Sequence, residues 1–391
     1  MAWALALVSG VASTALGSTT SARPPVHVKP VAAPAAPPDD LPSPALEVVV
    51  DVPPVDLPAI PDFGDAPPAL LPMPRASAPP PARPVTARAR SLSIDALNLC
   101  HAALGERRFA AALTACRAAT VAWGGNHLAW YASANAEAAT HGWSAARDAV
   151  ARAVELRPDI AMYQLLYGAA LYRAASERAR SDDDPPRRFS AARVALTRAL
   201  AIAPALWRAH YYLGCIALDR HAERDAAEHF TAALRANPSH RESYVALSEL
   251  YRAGGHGSQA LAVATIGTQR VPDAATLWFE VAMAYDALDA GSAAINALGR
   301  AIALSPDDVL LKLERGRLLF QRGDLGAARR DLEAAARVAD PAVAAVAARA
   351  RQLLAELEDG KLVGGTARRC RASRGCTSSV IPHARGRGSA D

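Results

Sequence analysis

The stretch AAEHFTAALRANP, Ala226–Pro238, decides the fold. It sets a small residue (Ala226), a large one (Phe230), a second small one (Ala233) and a proline (Pro238) at fixed intervals. Ala294, Leu298, Ala301 and Pro306 repeat those intervals 68 residues later. Blocks of 34 residues starting at Ser93 align without adjustment: 93–126 and 127–160, then 207–240, 241–274, 275–308 and 309–342. The block between, 161–206, carries 12 extra residues near Ala174–Pro186. Ala112, Ala146, Ala192, Ala226, Ala260, Ala294 and Ala328 then share one position. Cys100, Ala134, Gly168, Gly214, Ser248, Ala282 and Gly316, all small, share another.

The spacing is a packing rule. Each block predicts two helices of about a dozen residues, helix A across Arg208–Arg220 and helix B across Arg224–Ala236. Small residues at Gly214 and Ala226 let helices approach to the short end of the usual 8–10 Å. Phe230 and Ala233 are expected to face the next block. Proline after helix B ends it, since it cannot continue the hydrogen-bond ladder. One pair of helices has no core, so stability must come from stacking neighbours.

The pattern resembles the tetratricopeptide repeat. HYYLGCIALDRHAERDAAEHFTAALRANP (His210–Pro238) and LWFEVAMAYDALDAGSAAINALGRAIALSP (Leu277–Pro306) carry the resemblance most clearly. It implies an all-α, right-handed superhelical solenoid of about seven helix–turn–helix units over residues 93–342, with 343–358 as a capping helix. The first block departs from the pattern, with Gly124 where proline is expected.

The resemblance also implies that helices A line a concave groove that takes a peptide or protein partner. The residues it directs inward include Tyr131, Asn135, Leu165, Tyr172, Arg208, Tyr211, Tyr212, Glu242, Glu249, Phe279, Glu280, Asp286, Arg317 and Phe320. Aromatic rings supply area at low entropy cost and charges set register. Glu242, Glu249, Glu280 and Asp286 predict an acidic stretch suited to a basic or apolar segment. Family members that grip acidic chaperone tails carry a five-residue basic and amide clamp. Tyr131, Asn135, Leu166, Arg208 and Tyr212 stand there, and only Asn135 and Arg208 suit the task.

Outside the repeats, residues 1–22 carry no charged side chain, and Ala2–Gly17 is mostly apolar. Three readings stay open: an export signal, a membrane anchor, or neither. Residues 23–92 hold 20 of the 29 prolines and read as an extended, disordered spacer. Residues 359–391 carry seven basic side chains against two acidic ones, so the net charge of +5 describes a basic, disordered tail. Of the 43 basic residues 40 are arginine, which with the abundant alanine and proline points to a GC-rich, bacterial coding sequence.

Catalytic and metal signals are poor. The ten histidines form no HExxH and no pair with ligand spacing. Asp182, Asp183 and Asp184 read as a solvated loop. Cys100 and Cys116 occupy packing positions and read as buried thiols, and Cys215 is placed at the groove's border. Cys370 and Cys376 lie in the tail, where they suit a small disulfide loop if the chain is exported.

The sequence thus reads as a non-enzymatic interaction scaffold without cofactor or metal. Its partner is a protein or peptide and not specific nucleic acid, since the tail has no aromatic to stack bases. The expected location is a membrane or the exported, periplasmic side, or the cytoplasm if residues 1–22 are no signal. Two alternatives stay open: the sensor half of a kinase-type signalling system, and an anionic-surface binder acting through the arginine tail.

Overall fold

The computed structural model describes residues 56–59, 85–177, 189–338 and 340–358. The described residues form fifteen helices and one 3₁₀ turn, and no strand occurs among them. The helices fall into two compact units that meet in sequence at Asp159 and Ile160.

The first unit holds α1 (Ala87–Gly105), α2 (Phe109–Ala122), α3 (His127–Ala139) and α4 (Trp143–Leu156). Helix α1 starts six residues before Ser93, inside the stretch read as spacer. Residues 85–92 (VTARARSL) contain no proline, and the Thr86 hydroxyl caps the helix by accepting from the Ala89 N–H at 3.2 Å. Leu97, Ala112, Ala119, Leu128 and Ala132 form the core. A buried polar relay crosses it. The Asn126 side-chain amide donates to Ser93 Oγ at 2.9 Å, and Ser93 Oγ donates to the Ala119 carbonyl at 2.8 Å.

The second unit holds α5 (Ala161–Glu177), α6 (Ser190–Ile202), α7 (Trp207–Asp219), α8 (Glu223–Ala236), α9 (Arg241–Ala253), α10 (Gly257–Arg270), α11 (Ala275–Ala287), α12 (Gly291–Leu304), α13 (Val309–Gln321), α14 (Leu325–Ala336) and α15 (Ala344–Glu358). Asp182–Asp184 of the insertion, residues 1–22 and the arginine tail lie outside the described residues. At the C-terminal end Val346, Ala350 and Leu353 of α15 cover Leu313, Leu332 and Ala335.

Five of the seven second helices (α4, α6, α8, α10 and α12) end two residues before the proline that follows, whereas α14 ends at Ala336, five residues before Pro341. The pre-proline residues Arg157, Ala203, Asn237, Val271 and Ser305 all turn to φ between −135° and −142°, the extended region that a following proline enforces. Trp123 adopts the same φ of −145° before Gly124, so the first pair keeps the geometry without the proline. The turns inside the pairs share a second feature. Arg107, His141, His221, Gly255, Asp289 and Gly323 all sit at positive φ, between 57° and 83°. Only the two glycines hold that conformation free of Cβ strain.

All seven alanines of the Ala226 position are buried. A Cβ at Gly214 would lie 2.7 Å from Phe230 Cε1; one at Gly168, 2.6 Å from Leu196 Cγ; one at Gly316, 2.8 Å from Leu332 Cγ. Phe230 therefore fills the hole over Gly214 of its own pair. Ser248 fits the same position by donating its hydroxyl to the Ala260 carbonyl at 3.1 Å. The position of Ala233 does face onward: a Cβ at Gly267 would crowd both Tyr244 of its own pair and Leu277 of the next at 3.0 Å.

Polar-headed rings tie successive pairs together. The Trp130 indole donates to the Gly124 carbonyl at 2.8 Å, the Tyr244 hydroxyl to Pro238 at 3.0 Å and the Trp278 indole to Pro272 at 3.4 Å. The His210 ring joins Pro204 in the same way at 3.3 Å. Each ring meets a turn carbonyl two residues past the end of the preceding helix, beyond the reach of the helical ladder.

Candidate protein-binding groove

In the first unit Tyr131 and Asn135 lie one turn apart on α3, both partly exposed. The Asn135 amide donates to the Tyr131 carbonyl at 3.0 Å, leaving its carbonyl oxygen for another donor.

In the second unit the expected groove residues divide by burial. Arg208, Glu242, Glu249, Phe279, Asp286 and Arg317 keep partial exposure. Leu165, Tyr172, Tyr211, Tyr212, Glu280 and Phe320 are buried. The tyrosines build a continuous aromatic cluster. Tyr172 lies 5.1 Å from Phe189 and 5.9 Å from Tyr212, and Tyr211 lies 4.9 Å from His240. The Tyr172 hydroxyl donates to Asp219 at 3.0 Å. Burial raises the hydroxyl pKa of both Tyr172 and Tyr211 well above the ordinary value. These rings join the helices and offer a partner little surface. Arg208 remains accessible, with its guanidinium 4.5 Å over the Trp207 ring.

Half of the acidic character expected of this stretch is cancelled within it. Arg317 pairs with Asp286 and with Glu314, both at 2.7 Å, and Arg241 pairs with Glu242 at 2.6 Å. Two carboxylates are left over. Glu249 on α9 is partly exposed, and Glu280 on α11 is only 2% exposed. Glu280 Oε2, Arg252 Nε and Thr276 Oγ1 are buried polar atoms with no hydrogen-bond partner. Burial pushes the Glu280 carboxyl pKa up to about 8, against the opposing pull of Arg252, and Glu249 adds to the rise. Arg252, Thr276 and the Trp207–His240 contact went unread in the sequence, because a charge or ring acquires its role only from the helix it meets.

The cysteines also depart from expectation. Cys100 and Cys116 form a disulfide between α1 and α2, with Cα atoms 5.2 Å apart, inside the usual span of about 4.4–6.8 Å. They occupy the positions of Gly214 and Phe230, so the bond replaces the hole-and-knob contact of the pairs built on Gly168, Gly214 and Gly316. The Cys215 thiol is free and its pKa is pushed up to about 12 by burial, which makes it a poor nucleophile. No group of three metal-ligating side chains, and no helix long and apolar enough to cross a membrane, occurs among the described residues.

This geometry matches solved structures of helical repeats. A tetratricopeptide repeat protein from Parabacteroides merdae superposes with a TM-score of 0.51 at 12% identity, covering 67% of this chain and 99% of its own. The chain has the tetratricopeptide-repeat fold. The tetratricopeptide match extends more loosely to the anaphase-promoting-complex hetero-tetramer Cut9–Hcn1, at 16% identity, 69% and 53% coverage and TM-score 0.48. The type IV pilus biogenesis factor PilW follows at 18% identity, 55% and 94% coverage and TM-score 0.47. No family model and no curated protein matches the sequence.

Proposed function

We propose that this tetratricopeptide array is a non-enzymatic scaffold that binds a partner protein or peptide along the faces of its first helices. The observation that carries the reading is the division of α7, α9, α11 and α13. Their aromatic rings are mostly spent on packing, while Arg208, Glu249, Phe279 and Arg317 stay partly open in succession. A row of well-separated polar and apolar anchors suits an extended chain, which presents side chains at regular intervals. It does not suit a reaction, which needs groups converging on one point.

An exported or membrane-tethered location fits the same chain. The Cys100–Cys116 disulfide favours an oxidising compartment. An apolar, charge-free residue 1–22 stretch followed by a proline-rich spacer would display the repeats there.

The test is affinity capture from source cells with the full chain, beside an Arg208→Ala, Phe279→Ala variant of unchanged helix content. A protein retained by the first and lost by the second supports the reading. Equal capture by both would move the binding surface off the first helices.

A further inference from the structure

We propose that the face shared by α9 and α11 is a subsite for one basic side chain, lysine or arginine, of an extended peptide. The inference rests on the groove-binding reading and names the chemistry of its partner.

Charge balance carries the argument. Helices α9 and α11 are in direct contact. The other two acidic residues expected along this face are paired: Asp286 with Arg317, which Glu314 shares, and Glu242 with Arg241. Glu249 and Glu280 face a single cation, Arg252, and no ion pair forms among the three. Glu280 Oε2 and Thr276 Oγ1, one turn apart on α11, lack donors, and Arg252 Nε lacks an acceptor. The cluster is thus short of one positive charge carrying several N–H donors, and of one carbonyl-type acceptor. A basic residue of an extended peptide brings both, the cation on its side chain and the acceptor on its backbone. The partly exposed Glu249 and Arg252 meet it first, with the buried Glu280 carboxylate behind them.

Without a ligand the shortage is met by a proton. The charges that act on Glu280 are Arg252 and Glu249, both from α9. Its carboxyl holds a proton up to about pH 8. A docked cation draws that proton off, so peptide and proton compete. Below the free-state pKa, affinity rises with pH by up to about tenfold per unit, and above it the dependence disappears.

The test screens the full chain against an immobilised library of random dodecapeptides at physiological salt, at pH 6.5 and pH 8.5. The wild type, Glu280→Gln and Glu249→Gln are compared, with helix content as the folding control. The proposal predicts enrichment of lysine or arginine at one position. It predicts binding at least about tenfold tighter at the higher pH, with that gain lost in Glu280→Gln and the basic preference weakened in Glu249→Gln. Peptides retained without a basic preference would overturn the subsite and leave the groove reading standing. A basic preference indifferent to pH and to both substitutions would also overturn it. Retention of no peptide would overturn both.

Discussion

Replacing Gly214 by alanine tests the packing rule on which the fold rests. The added Cβ would lie 2.7, 2.8 and 2.9 Å from three carbons of the Phe230 ring. Favourable carbon contacts lie at about 3.5–4.0 Å, so the methyl intrudes by nearly 1 Å. Phe230 is fully buried and also packs on Tyr211, with ring centroids 5.9 Å apart, so it cannot simply swing away. Overpacking of this kind costs about 1–3 kcal/mol. Alanine in place of glycine inside a helix returns about 1 kcal/mol. The expected net is a loss of roughly 0–2 kcal/mol. Gly299→Ala on α12 is the matched control: its Cβ meets only Arg315 Nη1 at 3.9 Å, and the helix-propensity gain should appear undiminished. Urea unfolding followed by far-ultraviolet circular dichroism compares the midpoints. A Gly214→Ala variant stabilised as much as Gly299→Ala would refute the reasoning.

Other outcomes follow from the same contacts. Reducing Cys100–Cys116 opens a link across 16 residues and should cost about 3 kcal/mol in the first unit. The pair Cys100→Gly, Cys116→Leu, which restores the hole and knob of Gly168 and Leu196, should recover much of that stability and be indifferent to reductant in a melting experiment. Tyr244→Phe removes the bond to the Pro238 carbonyl and should cost about 0.5–1.5 kcal/mol. Native Cys215 should react with maleimide at pH 8 far more slowly than in urea, because its thiol pKa is pushed up to about 12. For Glu280 the sign runs opposite to a salt-bridged carboxylate. Between its unfolded pKa of 4.5 and about 8 the folded chain holds a proton that the unfolded chain has lost. Stability therefore falls as pH rises across that window, by at most about 1.4 kcal/mol per unit, and Glu280→Gln should flatten the profile.

The period, the helix pairs and the small residues at Gly214 and Ala226 were legible because each follows from side-chain volume at fixed spacing. The partner of each hole was not, because periodicity places Phe230 on a face without saying which neighbour that face meets. The disulfide was legible in principle. Cys100 and Cys116 stand at two positions that touch in the other pairs, Gly214 with Phe230 and Gly316 with Leu332, but their spacing alone resembles ordinary core thiols. The groove chemistry was least legible. Glu242, Glu249, Glu280 and Asp286 look like one acidic stretch in the sequence. Arg317, 31 residues from Asp286, neutralises part of it through a contact that only stacking creates. Tyr211 and Tyr212 were expected in the groove by position, yet neighbouring rings from Tyr172 to His240 enclose them.

Site-specific photo-crosslinking in source cells asks whether partners bind along the first helices. A photoreactive residue is placed at Phe279 on α11 in one chain and at the exposed Asn296 on α12 of the same pair in another. The account predicts a discrete crosslinked adduct from position 279 and none from position 296. An adduct from position 296 alone would contradict it.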